Sequence, residues 1–505
     1  MSICEDQPPI SPKELLSPDF LQSLPPELVE PIIADIDSTA DLLSLALTCK
    51  ALYGIIVPFH LHFRKINLNI GVTPLALWYG IIAKPRLSSM FRTFHSHGDP
   101  HKEQVFYPSS LVQEGETYLP STETSPGIAD VFLRAISQLT GLVKFNYTTP
   151  HGAKWINTSQ ILWTLSISSP LLAEVYLHPE GVEMPSSELI SPPEIYPTLV
   201  IFPSLQSLIV DFAYTGDSDM LLCFEILAVG RFPKLQVLHL LEIYNTPNRP
   251  PAITVFINSA TLPQLLEFML VTRSNVYSQD MTKQAKADVV YRFLARHPLL
   301  ESLSVLSSNG EFWQPLFLER DHCPNVSVLS VDGMQRRDDL LATDVITASL
   351  AGQLQKLSAR IGPRSLSLLG CMNMLKECIL HIPYSLPMTF LHSLPISIKR
   401  LVVIIHPELI LEPPPKGSPF DCIPHLTRLH NLTHVGGFNW DMTFIAGEKK
   451  AFLEKLSVLT KLEYIGGWGQ HSPFRWIPLQ KLKDEFAMEN ELKLRDVFPW
   501  AIPGI

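Results

Sequence analysis

The sequence predicts an α/β chain in which a short amino-terminal helical cluster is followed by an irregular solenoid of helix–turn–strand repeats with a parallel sheet. Three observations carry this. Residues 24–57 hold three short apolar-striped segments, a Pro-x-apolar-x-x-apolar-x-apolar phrase then recurs along the chain, and helix-period stretches separate its copies.

The first segment places Leu24, Leu28, Val29, Ile32, Ile33 and Ile36 on one side of a helix. Pro31 interrupts that stripe, so a kink or a late start is expected there. Ser38-Thr-Ala-Asp41 reads as a helix start before the apolar run Leu42 to Leu47, and Lys50 to Val57 fits a third helix stopped by Pro58. Three helices in so few residues bury their apolar faces incompletely, because units below roughly 40 residues need outside help. The cluster therefore calls for a partner.

Ile66, Leu68 and Ile70 alternate as in a half-buried strand. The recurring phrase then appears as PLLAEVYL from Pro170, PSLQSLIV from Pro203, PKLQVLHL from Pro233, PQLLEFML from Pro263, PLLESLSV from Pro298 and PNVSVLSV from Pro324. Its first apolar position recurs at Leu142, Leu172, Leu205, Leu235, Leu265, Leu300, Val326, Leu354, Leu375 and Ile398, at intervals of 21 to 35 residues. Stretches such as Ile128, Val131, Phe132, Ala135, Ile136 and Leu139 supply the helix between copies. Spaced leucines pointing inward beneath stacked strands are the logic of a leucine-rich repeat, although Ala213, Ile243 and Arg273 stand where such repeats carry Asn or Cys.

Residues 1–19 read as a flexible tail, 20–60 as the helical cluster and 61–505 as the repeat array, with an insertion at about 95–127 rich in Gly, Pro, Ser and Thr. Net charge −10 and the absence of long basic runs argue against nucleic acid and anionic membranes as partners. The longest nearly apolar stretch, Ile70 to Ala83, is too short to span a bilayer, and the amino terminus lacks the pattern of a secretion signal. Seven scattered cysteines fit a reducing compartment, cytoplasm or nucleus.

Leu24-Pro25-Pro26-Glu27-Leu28, Asp41-Leu42-Leu43, Leu45-Ala46-Leu47 and Cys49-Lys50-Ala51-Leu52-Tyr53 fall in the order of the F-box motif, and on these residues the segment resembles the F-box family. The resemblance covers about 40 of the 505 residues. It implies an F-box joined to degenerate leucine-rich repeats, of a kind found in fungal proteins. Such a chain is not an enzyme but a substrate-receptor subunit of a cullin-RING ubiquitin ligase, docked to a Skp-type adaptor and through it to a cullin, with the repeats binding a protein target. Leu24, Pro25, Leu28, Ile32, Leu42, Leu45, Cys49, Leu52 and Tyr53 are the adaptor-binding residues it implies, and Leu28, Ile32, Leu42 and Leu45 are expected partly open in the free chain. A repeat-type interaction scaffold without ligase association is the alternative.

Phosphate-binding loops, serine elbows and zincin helices are absent from the sequence, and no cofactor is expected. His95, His97 and His101 fall within the expected insertion and read as exposed loop histidines rather than a metal site. Cys371 and Cys378 read as small core hydrophobes. Trp440, Trp468 and Trp476, with His471 and Arg475, fit either a seal on the last repeat or a partner anchor.

If Leu208 and Val210 point inward, strand alternation sends Ile209, His239, Met269, Ser304, Ser330, Ser358, Ile379 and Val402 outward. A flanking column follows as Asp211, Leu241, Val271, Leu306, Asp332 and Arg360. The weakly charged middle of this face points to target binding at His239, Leu241, Met269, Val271 and Leu306.

Overall fold

The computed structural model describes residues 24–36, 38–69, 73–97, 106–112, 126–148, 157–178, 200–213, 217–243, 252–272, 282–307, 318–333, 346–362, 365–383, 386–406, 422–437, 455–456, 458–466 and 476–480. The expected tail, His101, Trp440, Trp468, His471 and Arg475 lie outside these residues. The chain divides into two compact units, Met1–Pro233 and Lys234–Ile505.

In the first unit, helices Pro26–Asp35, Thr39–Ala46 and Lys50–Ile55 precede a π-helical turn, Ile56–Leu61. The first helix starts at Pro26 and continues through Pro31 to Asp35, so the expected late start does not occur. Five parallel strands follow in chain order: β1 (Lys65–Asn69), β2 (Thr93–His97), β3 (Lys144–Thr148), β4 (Glu174–His178) and β5 (Ser207–Asp211). Helices Leu75–Ala83, Pro126–Ile136 and Thr158–Ser168 connect them, and Asp217–Val229 follows β5.

The register aligns Ile66, Phe94, Phe145, Val175 and Leu208 across the five strands, and all are buried. Aromatic rings of strands and helices add to this core, with Phe94 stacked on Phe145 at 4.8 Å and Trp78 edge-on to Phe132 at 5.1 Å. The insertion expected from residue 95 is corrected at its start, because His95 and His97 belong to β2. Phe94 and Ser96 face inward while half-buried histidines occupy the other face, so the strand's outward polarity makes it read as loop. Phe106 adds an antiparallel bridge to Asn67 of β1, further reducing the irregular stretch.

The second unit contains β6 (Val237–Ile243), β7 (Glu267–Thr272), β8 (Ser302–Ser307), β9 (Val328–Gly333), β10 (Lys356–Arg360), β11 (Glu377–Pro383), β12 (Arg400–His406), β13 (His434–Gly437) and β14 (Tyr464–Gly466), all parallel and in chain order. A last strand, β15 (Trp476–Pro478), pairs antiparallel with β14. Leu238, Phe268, Leu303, Leu329, Leu357, Cys378, Leu401, Val435 and Ile465 form the inward column. Each is buried.

Repeat length governs what covers that column. The 35 residues from Leu265 to Leu300 accommodate the 14-residue helix Lys283–Arg296, whereas the 21 from Leu354 to Leu375 leave only the five-residue helix Leu366–Gly370. Cys371 caps that short helix and is exposed, which corrects its expected place in the core; Cys378, on β11, is buried as expected.

A second regularity explains the recurring phrase. In successive repeats one carbonyl just before a strand accepts two amides from the next repeat: Leu266 O takes Glu301 N and Ser302 N, Glu301 O takes Ser327 N and Val328 N, and Gln355 O takes Lys376 N and Glu377 N. The position directly after the first apolar residue of the phrase is this acceptor, so its side chain is free to vary, Leu266 in one repeat and Glu301 or Gln355 in others, while its backbone is fixed. Among the described residues, no helix is long and apolar enough to cross a membrane.

Candidate functional site

The helical cluster is built by one rule applied three times. In each helical segment an i, i+4 pair points into a shared core: Val29 with Ile33, Leu42 with Ala46, and Leu52 with Ile56, the last on the π-helical turn that continues the third helix. The adjacent apolar stripe is left outside: Leu28 (54% exposed) with Ile32 (45%), Leu43 (46%) with Leu47 (71%), and Tyr53 (52%). The sequence thus supplies a wider apolar arc than the small core consumes. Exposed apolar stripes are a common feature of interaction sites.

The residues implied for adaptor binding divide accordingly. Leu28, Ile32, Tyr53 and Pro25 are exposed, and Leu24, Leu45 and Cys49 are half-buried against the core. Leu42 and Leu52, at 0% and 4% exposure, are core residues, so the expectation that Leu42 lies partly open is corrected: its side chain fills the centre of the three-helix contact. Cys49 has a local role, its Sγ accepting the Leu52 amide at 3.4 Å as the cap of the third helix. Ser38 caps the second helix in the same way through Asp41 N at 3.2 Å. Leu43 and Leu47 belong to the exposed stripe, and the i+4 spacing of two leucines beside Leu42 and Ala46 is the signal that identifies them.

Arg64 ties the cluster to β1. Its buried guanidinium donates Nη2 hydrogen bonds to the carbonyls of Ile33 (2.6 Å) and Ile36 (2.9 Å), satisfying the carboxyl-terminal end of the first helix with a cation. The Arg64 carbonyl in turn accepts Arg92 N and Thr93 N, the start of β2. His60 is buried nearby, and desolvation followed by the charge of Arg64 holds its imidazole below the ordinary value.

On the sheet of the second unit, the expected outward column is in register. His239 pairs with Met269, Met269 with Ser304, Ser304 with Ser330, Ser330 with Ser358, Ser358 with Ile379, and Ile379 with Val402. His239, Leu241, Met269, Val271 and Leu306 are all half-buried, His239, Met269 and Val271 alternating with buried neighbours, while Ser304 and Val402 are nearly closed to solvent. His239 Nε2 lies 2.8 Å from Glu267 Oε1, so the apolar patch is edged by a hydrogen-bonded imidazole and carboxylate.

A bulge at Leu241–Glu242 breaks the straight pairing of β6 with β7, and Glu242 adopts φ 53°. Leu241 therefore departs from the simple alternating column, whereas Val271 and Leu306 pair directly.

Among the described residues, no group of three or more His, Cys, Asp or Glu is placed to hold a metal. Burial pushes the Cys323 thiol up to about 12 and also raises those of Cys223 and Cys378, away from nucleophilic reactivity. Trp476, on the antiparallel edge strand, meets His434 edge-on at 4.9 Å while His434 stacks on Tyr464 at 4.4 Å, closing the end of the sheet with rings. Comparison with protein-family models and with curated proteins finds no match to this chain.

Proposed function

We propose that the chain is a substrate-receptor subunit of a cullin-RING ubiquitin ligase, an F-box protein with degenerate leucine-rich repeats. Its helical cluster docks on a Skp-type adaptor, and its repeat array holds a protein target. The observation that carries this reading is the doubled apolar stripe: on the segment resembling the F-box, each helix keeps one apolar face for the cluster and leaves another exposed. The parallel array supports the other half, since it presents a continuous sheet face with the neutral column described above.

The chain itself performs no chemistry in this reading. Its contribution is effective concentration, because a target held on the array meets the conjugating enzyme as an intramolecular partner. Ligase assembly would take place in the cytoplasm or nucleus. Co-expression with a Skp-type adaptor tests the reading. The full chain should co-purify with the adaptor, and Leu28→Asp/Ile32→Asp should not. Failure of the wild-type chain to bind, or binding unaffected by that pair, overturns it.

A further inference from the structure

We infer that the strand-start rim of β10–β12 is a docking strip for an acidic peptide segment of a partner protein. The rim consists of the first residue of each strand and the residue before it. On β10, β11 and β12 these six positions are Gln355, Lys356, Lys376, Glu377, Lys399 and Arg400, four cations against one carboxylate. The same six positions on β7, β8 and β9 are Leu266, Glu267, Glu301, Ser302, Ser327 and Val328, with two acids and no cation. The sign of the edge thus reverses within one sheet, in a chain of net charge −10.

The internal pairing leaves the strip cationic. Glu377 is shared, with Lys356 Nζ at 3.0 Å and Arg400 Nη1 at 3.6 Å. Lys376 donates to the neutral amide oxygen of Gln355 at 3.0 Å, and Lys399 is exposed with no ion pair among the described residues. Strands lie about 4.8 Å apart, so the cations of β10 and β12 are separated by about 10 Å, the span of roughly three extended residues. A segment with carboxylates at that spacing can meet both ends of the strip, where a compact anion meets only one. The low density of phosphate-tracking cations elsewhere favours a peptide over a nucleic acid. This surface stands independently of adaptor docking.

The test is fluorescence anisotropy of the full chain with labelled deca-glutamate, deca-lysine and single-stranded poly-uridine, at low and high ionic strength. Deca-glutamate should bind saturably and weaken with salt, and Lys399→Glu/Arg400→Glu should reduce its affinity by at least ~tenfold. Arg320→Glu, an exposed charge reversal outside the rim, should leave binding unchanged, and matched melting curves confirm that the double variant folds. The milder Lys399→Gln/Lys356→Gln pair should give an intermediate loss and serves if the reversal destabilises the chain. Absence of deca-glutamate binding, equal loss in Arg320→Glu, or a preference for poly-uridine overturns the assignment.

Discussion

Arg64 Nη2 donates to the Ile33 carbonyl at 2.6 Å, joining the end of the first cluster helix to the residue from which β1 departs. Two helix-end carbonyls accept from this one side chain, and its removal takes away the Ile36 contact and leaves Ile33 O with the longer 3.3 Å bond from Ile36 N. Arg64→Met should therefore loosen the helical cluster by about 1–3 kcal/mol while leaving the repeats folded. Hydrogen exchange checks it: amides of residues 26–36 should lose protection, and those of β3 and β4 should keep theirs.

The two apolar stripes of the cluster make a contrasting pair of variants. Leu43→Asp, on the exposed stripe, should change stability by no more than about 0.5 kcal/mol, whereas Leu42→Asp buries a carboxylate in the cluster core and should cost at least about 3 kcal/mol. Circular dichroism melts and proteolysis of the amino-terminal segment distinguish the two. Equal tolerance of both would show that the stripes are assigned the wrong way round.

His297 supplies a pH dependence. It is buried, its Nδ1 lies 2.7 Å from the Phe293 carbonyl and its Nε2 accepts the Leu262 amide at 3.1 Å, so the neutral imidazole bridges two repeats. Desolvation, opposed by the Phe293 hydrogen bond and aided by Arg296, lowers its pKa to about 4 from 6.5. The unfolded chain therefore binds a proton at a pH where the folded chain does not. Stability from this group is full above pH 6.5, declines as pH falls towards 4, and the total loss is about 3 kcal/mol. Melting temperatures measured across that window should fall on acidification, and His297→Asn should flatten the curve.

The inward residues of the repeats face the same kind of test. Leu235 and Leu265 are fully buried at the first apolar position of their repeats, so truncation of each to Ala should cost about 2–5 kcal/mol. Chemical denaturation of the two variants checks this, and wild-type midpoints in both would contradict their place in the core.

What could be read from the sequence follows from how each feature is encoded. Sheet register was legible because a period of two admits no partial error: once Leu208 and Val210 face inward, the column His239, Met269, Ser304, Ser330 is determined, and the pairing agrees. The residues proposed for docking were less legible. Both Leu28/Ile32 and Val29/Ile33 are apolar i, i+4 pairs, and only the packing of the other two helices decides which turns in. Strand β2 escaped notice because its outward residues are histidines, and the β6 bulge because its positive φ falls on Glu242 rather than Gly or Asn.

That bulge bears on the face proposed for target capture. Met269 and Val271 project from β7 on the half-buried face, and Leu306 pairs directly with Val271, so these three form a regular apolar step across two strands. Leu241 reaches the same face from the irregular stretch of β6, beside His239 and its partner Glu267. A carboxylate at Met269 would stand two residues from Glu267 on the same face, repelling it and hydrating the step without entering the core. Met269→Glu and Leu241→Asp should therefore abolish target capture while melting temperature and adaptor binding change little. The measurement is proximity labelling by the adaptor-bound chain, comparing wild type with each variant. Loss of fold would assign these side chains to the core, and undiminished labelling of the same target would put the capture site on another surface.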